Sequence, residues 1–294
     1  MIKKIILITS CIWFGVSMHA QQNKVVTVYA GKQISINTGT PVEQKKIGDA
    51  GMEFIYDYCY LTDTTDVTSE NKDMMILQVG LGFSKFSSYR AMQIDSLISA
   101  STTDQIRENP SRYVGGETFS VYKNYPPGKF TTTDKISTDW YLYEEPIPIQ
   151  EWNTGGDSTK EILGYKCRMA ECDFRGRHYI AWYSEEIPVA DGPRKFGGLP
   201  GFILEVCDTD GYYQFTLVGI NSKATRPVTM PDVQYNRTNR SKFYNTKLRY
   251  DTDPTGYMRD VSGVSVVITS PDGTTRNEHP RERMFDYIER DYKR

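Results

Sequence analysis

The sequence predicts a mainly β protein, a large curved antiparallel sheet with one or two short helices. Aromatic residues make up 13% of the chain, and 21 residues are tyrosine. Together with frequent Val, Ile and Thr, this composition favours strands over helices. Turn-forming residues separate the apolar segments, as in a succession of hairpins.

The first twenty residues have the pattern of an export signal. Lys3 and Lys4 precede an apolar run, and "SMHA" before "QQ" predicts cleavage after Ala20. "ITSC" offers a second interpretation, a lipoprotein signal acting through Cys11, but the apolar run continues past that cysteine. We therefore expect a signal peptide at 1–20 and an exported protein, periplasmic or associated with the outer membrane.

We expect residues 21–294 to form a single GLPG-containing β-rich domain. They contain no sustained repeat and no long linker, and they suffice for one large β domain. We expect no transmembrane span after the signal, and the mean hydropathy is -0.53. The net charge of -2 provides no long-range attraction for nucleic acid or an acidic membrane.

Strand-forming segments occupy most of the first half of the chain. They are rich in β-branched and aromatic residues and lie at 24–37, 51–63, 74–88, 117–125 and 129–145. Residues 90–108 form a helical candidate, because apolar residues from Ala91 to Ile98 recur at spacings of three and four.

Two hairpins follow. Residues 160–174 and 178–188 flank a turn at Arg175-Gly176-Arg177, and 201–220 turn at "DTDG". Period-two alternation places Phe202, Leu204 and Val206 on one face of their strand.

The last segments are less regular. Residues 224–256 are polar and rich in Arg and Asn, so we expect this segment to be the least ordered part of the chain. "SPDGT" predicts the turn of a last hairpin within 264–277. After Pro280, Met284, Tyr287 and Ile288 fall on one helical face.

Four cysteines follow the signal: Cys59, Cys167, Cys172 and Cys207. An even number in an oxidising compartment predicts at least one disulfide between separate strands, with the pairing undetermined. Cys167 and Cys172 are unsuitable partners on one extended segment, because five residues span about 16 Å. A zinc site is the weaker alternative, and we expect no metal.

The sequence contains no catalytic constellation. His178 and His279 are the histidines after the signal, and neither lies in a nucleophile motif. "GGLPG" leads into a strand, which lacks the helix N-terminus of a phosphate site. We expect no catalytic residue, no cofactor and no nucleic-acid partner.

Candidate recognition residues lie near the first hairpin turn and in the loop after it. Arginine and aromatic residues are favoured at recognition sites. The candidates are Arg175, Arg177, Trp182, Lys195 and Phe196. The alternative is a solvated tip whose aromatics pack into the sheet, and we expect Phe196 to pack inward.

The segment "DGPRKFGGLPG" predicts a sharp corner between two strands, and only by hypothesis a binding lip. Glycine permits positive φ and close backbone approach, and Pro200-Gly201 suits a turn with positive φ at the glycine. The structural loop residues are Gly192, Pro193, Gly197, Gly198, Leu199, Pro200 and Gly201.

The segment from Leu163 to Val206 carries "GYKC", "FRGR", "AWY" and "DGPRKFGGLPG". In these motifs it closely resembles the GLPGLI family of Bacteroidetes envelope proteins, also known as the Porph_ging family. "MMILQVGLGFSKFSS" also looks like the family's upstream strand, and Phe202 stands where the family usually has leucine. The resemblance implies a secreted or periplasmic protein and no activity. We further expect a sheet like the half barrel of periplasmic lipoprotein carriers.

We expect a non-catalytic exported envelope protein that binds a lipid-like ligand or a partner protein. An apolar sheet face and the lack of nucleophile–base pairs favour this interpretation. The alternatives are a carboxylate-dependent hydrolase of the cell envelope using Glu185 or Asp191, and a purely structural envelope component.

Overall fold

The computed structural model describes residues 25–28, 42–66, 68, 70–262, 265–269, 275–276 and 284–293. The expected signal peptide at 1–20, Cys11 and His279 lie outside these ranges. No α-helix within them has the length and apolarity needed to span a bilayer.

The described chain is mainly β, as predicted. The strands are β1 (Val25–Val28), β2 (Gln44–Asp49), β3 (Met52–Tyr60), β4 (Asn71–Val79), β5 (Ser84–Ser88), β6 (Ser120–Lys123), β7 (Lys129–Ile136), β8 (Asp139–Pro146), β9 (Thr159–Ile162), β10 (Tyr165–Phe174), β11 (Arg177–Ser184), β12 (Phe202–Asp208), β13 (Tyr213–Asn221), β14 (Pro227–Pro231), β15 (Asn236–Thr238), β16 (Ser265–Thr269) and β17 (Thr275–Arg276).

The helices are few and short, although the described ranges hold more α-helices than the one or two expected. They are α1 (Tyr89–Ser99), α2 (Thr103–Glu108), α3 (Arg240–Thr252) and α4 (Pro254–Ser262), with 3-10 turns at Pro110–Tyr113 and Asp291–Lys293.

Two compact units divide the chain. The described residues of the larger unit lie within 42–93, 116–248 and 284–293, and those of the smaller unit are 25–28, 94–115, 249–262, 265–269 and 275–276. In the smaller unit β1 pairs in parallel with β16, which pairs antiparallel with β17. The last predicted hairpin is thereby confirmed, while its turn lies outside the described residues. A single domain over 21–294 stays a prediction.

The larger unit contains a 12-stranded sheet in the order β15-β8-β7-β6-β5-β4-β3-β13-β12-β11-β10-β9. Its neighbours run antiparallel except β15, which lies parallel to β8. The large antiparallel sheet is therefore confirmed, and β15 and β9 are its two ends. Likeness to a lipoprotein carrier stays a prediction.

The two predicted hairpins of the second half are both present. Arg175 and Gly176 connect β10 to β11 with φ of 53° and 81°, the conformation of a tight hairpin turn. The β12–β13 turn lies at "DTDG", with φ of 74° at Gly211.

Aromatic rings dominate the core of the sheet. Phe54 stacks on Phe202 with ring centroids 3.9 Å apart, and Tyr58 stacks on Phe215 at 4.4 Å. Leu204 and Val206 are fully buried beside them. The face of β12 that Phe202, Leu204 and Val206 share is therefore buried, and so is Ile203 on the opposite face.

The predicted helix at 90–108 is two helices. The Thr102 side chain accepts a hydrogen bond from the Gln105 amide, and the Gln105 side chain accepts one from the Thr102 amide. This capping box begins a new helix at Thr103.

The helical face predicted at Met284, Tyr287 and Ile288 is wrong, because 284–290 are not helical. Arg177 donates to the carbonyls of Asp286 and Tyr287, at 3.0 Å each. Carbonyls bound by side chains of the sheet are not available for a helical hydrogen-bond ladder.

The disulfide prediction is wrong for this structure, in which Cys59, Cys167, Cys172 and Cys207 are all free. Cys59 and Cys207 both lie opposite Gln214, one on each side of β13. Two strand spacings separate them by about 9.5 Å, beyond disulfide reach. Burial raises the pKa of Cys167 to about 11 and that of Cys172 to about 12.

Candidate functional site

The loop between β11 and β12 contains "DGPRKFGGLPG" and is shaped by close backbone approach. A Cβ on Gly201 would lie 2.4 Å from the Ser184 carbonyl oxygen, and one on Gly192 would lie 2.9 Å from Ile203. The expected positive φ at Gly201 is wrong. Positive φ occurs at Gly198 (84°) and Arg194 (49°). Gly201 is required by proximity, since any side chain would meet another strand's backbone.

Lys123, at the end of β6, holds this loop by its ammonium group. Its Nζ lies 2.5 Å from an Asp191 carboxylate oxygen, 2.6 Å from the Gly192 carbonyl and 2.7 Å from the Phe196 carbonyl. The three donors of the ammonium are thereby used. Lys123 is therefore a positioning residue for the loop.

Residues 150 and 152 hold the loop from another side. Gln150 donates to the Lys195 carbonyl at 2.7 Å, and the Trp152 indole donates to the Gly197 carbonyl at 2.8 Å. Phe196 is 2% exposed and lies edge-on to Tyr179, with ring centroids 4.7 Å apart. The inward packing expected for Phe196 is confirmed.

Lys195 lies within the loop itself, next to Arg194, and its side chain is 1% exposed. Its Nζ lies 2.6 Å from a Glu289 carboxylate oxygen and 2.7 Å from a Glu145 carboxylate oxygen. It also lies 3.3 Å from the Tyr143 hydroxyl. Lys195 points into the protein rather than outward as a recognition residue would.

Glu289 lies at the centre of a set of buried and half-buried charges, which we call the Glu289 cluster. Its members are Glu145, Arg175, Arg194, Lys195, Arg240, Glu289 and Asp291. Burial alone would raise the pKa of Glu289, but Lys195, Arg194 and Arg175 outweigh it and hold that pKa well below its usual value. The cluster joins the loop, the β10–β11 turn, β8, α3 and residues 289–291.

The predicted recognition residues do not form an exposed patch. The Arg177 side chain is fully buried, 2.6 Å from an Asp208 carboxylate oxygen, and Arg175 lies 2.6 Å from Glu145. Trp182 is half-buried beneath the Lys160 ammonium, which lies 4.4 Å from its ring centroid. The interpretation of the two arginines as a solvated tip is wrong, because residues 286–291 cover them.

The carboxylates considered for a hydrolase are paired with cations. Asp191 is bound to Lys123, while the exposed Glu185 lies 3.6 Å from Arg168. The described part of the chain contains no group of three His, Cys, Asp or Glu side chains arranged to hold a metal ion.

Glu117 is a half-buried acid that no pattern in the sequence singled out. It accepts a hydrogen bond from the Tyr60 hydroxyl, and its amide donates to Asp73 at 2.8 Å. Burial, with a contribution from the Asp134 charge, raises the pKa of Glu117 to about 7.

Glu117→Gln is expected to stabilise the protein above pH 7. Because the folded carboxyl binds its proton more tightly than the unfolded one, the free energy of unfolding falls as the pH rises from about 4.5 to 7. The glutamine variant lacks this loss, so at pH 8 it should gain up to about 3 kcal/mol over the parent. Urea unfolding at pH 5 and pH 8 measures the difference, with Glu151→Gln, an exposed site, as control. Equal stability of variant and parent at pH 8 would contradict the assignment.

A cavity of about 540 Å³ adjoins the loop. Its volume is within the range of small-molecule sites. The apolar side chains of its wall include Val79, Phe83, Phe130, Ile147, Ile149 and Phe196. The polar and charged ones are Ser84, Lys123, Asn124, Gln150, Asp191 and Lys195.

Strand register accounts for the floor of the cavity. Val79, Ser84, Lys123, Phe130 and Glu145 lie directly opposite one another on the successive strands β4 to β8. Side chains opposite one another share a face of the sheet. Four of these residues line the cavity, and the fifth binds Lys195.

The loop and its flanking strands also carry the likeness to known proteins. The family model described as "Protein of unknown function (Porph_ging)" matches residues 174–205. The family resemblance is confirmed over this segment. The matched segment contains Arg175 and Arg177 at the β10–β11 turn, and Asp191, Lys195 and Phe196 in the loop.

Comparison with solved structures finds "Structure of PNGF-II in P21 space group" at a TM-score of 0.45 and 11% identity, covering 67% of this chain and 33% of that chain. "Structure of PNGF-II in C2 space group" has a TM-score of 0.43 and 10% identity, covering 66% and 32%. This chain thus spans about a third of their length. A search of curated proteins finds no match.

Proposed function

We propose that this protein is a non-catalytic binding protein of the cell envelope, and that its ligand occupies the cavity beside the loop between β11 and β12. The observation that carries the proposal is the cavity of about 540 Å³, with apolar walls and with its cations already engaged by the protein. Its ligand is a lipid-like molecule.

The charged side chains at the cavity support binding rather than turnover. Lys123, Asp191 and Lys195 hold the loop in place through bonds of 2.5 to 2.7 Å. A general acid or base needs a proton that it can exchange with a substrate. The polar side chains of Lys123, Asp191 and Lys195 are bonded to other protein groups, so these side chains shape the cavity rather than exchange protons with a substrate.

The cellular location is part of the proposal. The export signal predicted at 1–20 and the Porph_ging match at 174–205 support a periplasmic or outer-membrane-associated protein.

Ala190→Trp is expected to remove the ligand without unfolding the protein. Ala190 lines the cavity and is exposed, so an indole there fills the cavity and leaves the core unchanged. The measurement is lipid and protein mass spectrometry of the full chain purified from its native envelope. Ala100→Trp, an exposed site that does not line the cavity, is the matched control.

Loss of a co-purified lipid-like molecule from Ala190→Trp alone supports the proposal. If both variants retain everything that the parent retains, the cavity is not the binding site. A protein partner lost only from Ala190→Trp would replace the lipid-like ligand with a protein ligand.

A further inference from the structure

We infer that the protein has a second binding site, for a neutral hexopyranose sugar, in a cavity of about 500 Å³ beside the β12–β13 turn. We call it the Arg290 cavity, and its volume is within the range of small-molecule sites. It shares no lining residue with the cavity of the proposed function, so this inference goes beyond that function. Its walls are formed by Thr64, Asp210, Tyr212, Met284, Phe285, Asp286, Tyr287, Arg290 and Tyr292.

Hydrogen bonds between distant segments shape the Arg290 cavity. Thr64 donates to the Met284 carbonyl from both its amide and its hydroxyl, at 3.0 Å each. On the other side, the Asp208 carboxylate accepts the Tyr212 amide at 2.8 Å and so fixes the turn that carries Asp210. The walls are therefore held in place by the protein itself, as in sites that are largely formed before a ligand binds.

Arg290 supplies an open hydrogen-bond donor beside an open acceptor. Its Nε lies 2.8 Å from an Asp286 carboxylate oxygen, and its Nη2 lies 2.6 Å from the Oδ2 atom of Asp210 and also contacts Asp286. Its Nη1 has no hydrogen-bond partner among the described residues and is not one of the fully buried polar atoms, since the side chain is 36% exposed. The Asp210 side chain is 45% exposed, and its Oδ1 accepts no hydrogen bond from the described residues.

The charges around Arg290 disfavour a charged ligand. A bidentate anion needs two adjacent guanidinium nitrogens, but Nε and Nη2 already bind Asp286 and Asp210. An anion would also lie close to these two carboxylates, and a cation would lie close to the Arg290 charge. A neutral ligand with neighbouring hydroxyls avoids both costs. Because a hydroxyl both donates and accepts, one can accept from Nη1 while the next donates to the Oδ1 atom of Asp210.

The apolar walls of the Arg290 cavity select a ligand that also has a hydrocarbon face. Met284 is 69% exposed, and Phe285 is half-buried, with the Tyr287 ring stacked on it at a centroid distance of 6.0 Å. Both side chains can contact an apolar ligand surface, whose removal from water is favourable. A pyranose ring combines these requirements, because its hydroxyls lie along its edge and its C–H groups form apolar faces. An acyclic polyol offers no such face.

Saturation-transfer difference NMR on the full chain tests the inference with the methyl pyranosides of glucose, galactose and mannose. At least one should bind, about fivefold or more tightly than the matching uronate and 2-amino sugar. Asp210→Ala should weaken this binding about tenfold or more, since it removes a charged acceptor. Asp173→Ala, whose side chain is 89% exposed and lies outside the cavity lining, should leave it unchanged. Met284→Ala keeps every charge and should weaken binding about threefold at an unchanged melting temperature.

The free hexose is measured beside its methyl pyranoside. Tighter binding of the methyl pyranoside indicates a sugar residue within a glycan, tighter binding of the free hexose indicates a soluble sugar, and either supports the inference. Binding of no neutral sugar would overturn it, as would equally tight binding of a charged analogue or an unchanged affinity in either Asp210→Ala or Met284→Ala. Ala190→Trp should leave sugar binding intact. A sugar that this variant displaces would lie in the other cavity, so the inference would fail while the proposed site remained a binding site.

Discussion

Replacing Glu289 by glutamine is expected to lower the free energy of unfolding by about 3–5 kcal/mol, the range for removing one partner from a buried ion pair. Glu289 is 2% exposed and lies 2.6 Å from Lys195 and 3.2 Å from Arg194. Glutamine keeps the shape and a hydrogen-bond acceptor but leaves these buried cations short of one negative charge. Urea unfolding at pH 7 measures the loss.

Glu144→Gln is the matched control, since Glu144 is half-buried on β8 and pairs with the exposed Lys129 at 2.9 Å. Its loss should remain below about 1 kcal/mol. Equal losses in the two variants would show that the Glu289 cluster does not stabilise the fold.

The same variant should change the response to acid. The neighbouring cations hold the pKa of Glu289 below its unfolded value, so its contribution to stability is present above that unfolded value, about 4.5, and is lost as the pH falls further. The parent should therefore lose stability below about pH 4.5 more steeply than Glu289→Gln.

Gly201→Ala is expected to destabilise the protein by about 2–3 kcal/mol. The added Cβ would lie 2.4 Å from the Ser184 carbonyl oxygen and 2.7 Å from its carbon. These are backbone atoms of the neighbouring strand, so the clash is relieved only if β11 and β12 separate. Gly201→Val should be worse, since two more carbons enter the same space.

Gly197→Ala in the same loop is the control. A Cβ there meets no heavy atom within 4 Å, and the φ of Gly197 is not in the left-handed region. Alanine should be neutral or slightly stabilising at this site. A thermal melt in which both alanines behave alike would refute the steric explanation.

Local chemistry made part of the fold predictable. The β10–β11 turn follows from Arg175-Gly176 between two alternating segments, and the face that Phe202, Leu204 and Val206 share follows from period-two alternation. These patterns depend on neighbours in sequence. The inward packing of Phe196 was also predictable, because a large aromatic side chain in a corner packs most favourably against the core.

The site itself was not predictable, because it depends on contacts between distant residues. Ser84 and Lys123 become opposite partners only when β5 and β6 pair, and Lys123 meets Asp191 68 positions later. No local pattern distinguishes the lysine of "SVYK" from an ordinary solvated strand end. Arg175 and Arg177 were predicted as recognition residues, with a solvated tip as the alternative, for the same reason: their partners at 286–291 lie more than 100 residues away.

The helix α3 was missed for a different reason. Its apolar residues do not form a stripe, so "RSKFYNTKLRYDT" gives no helical periodicity. Phe243 and Tyr244, adjacent in sequence, are both buried. Tertiary contacts of Phe243 with the rings of Tyr141 and Tyr143 outweigh the weak local signal.

The order of synthesis gives the Glu289 cluster a further consequence. A ribosome makes Lys195, Arg194 and Arg177 some ninety or more residues before it makes the Glu289 and Asp286 that compensate their charge and cap their hydrogen bonds. Until then the carboxylate partners of two of these side chains, among the described residues, are Glu145 for Lys195, and Asp208 and Asp210 for Arg177. Completion of the contacts that hold the loop therefore depends on residues 286–289, which are made long after the loop itself.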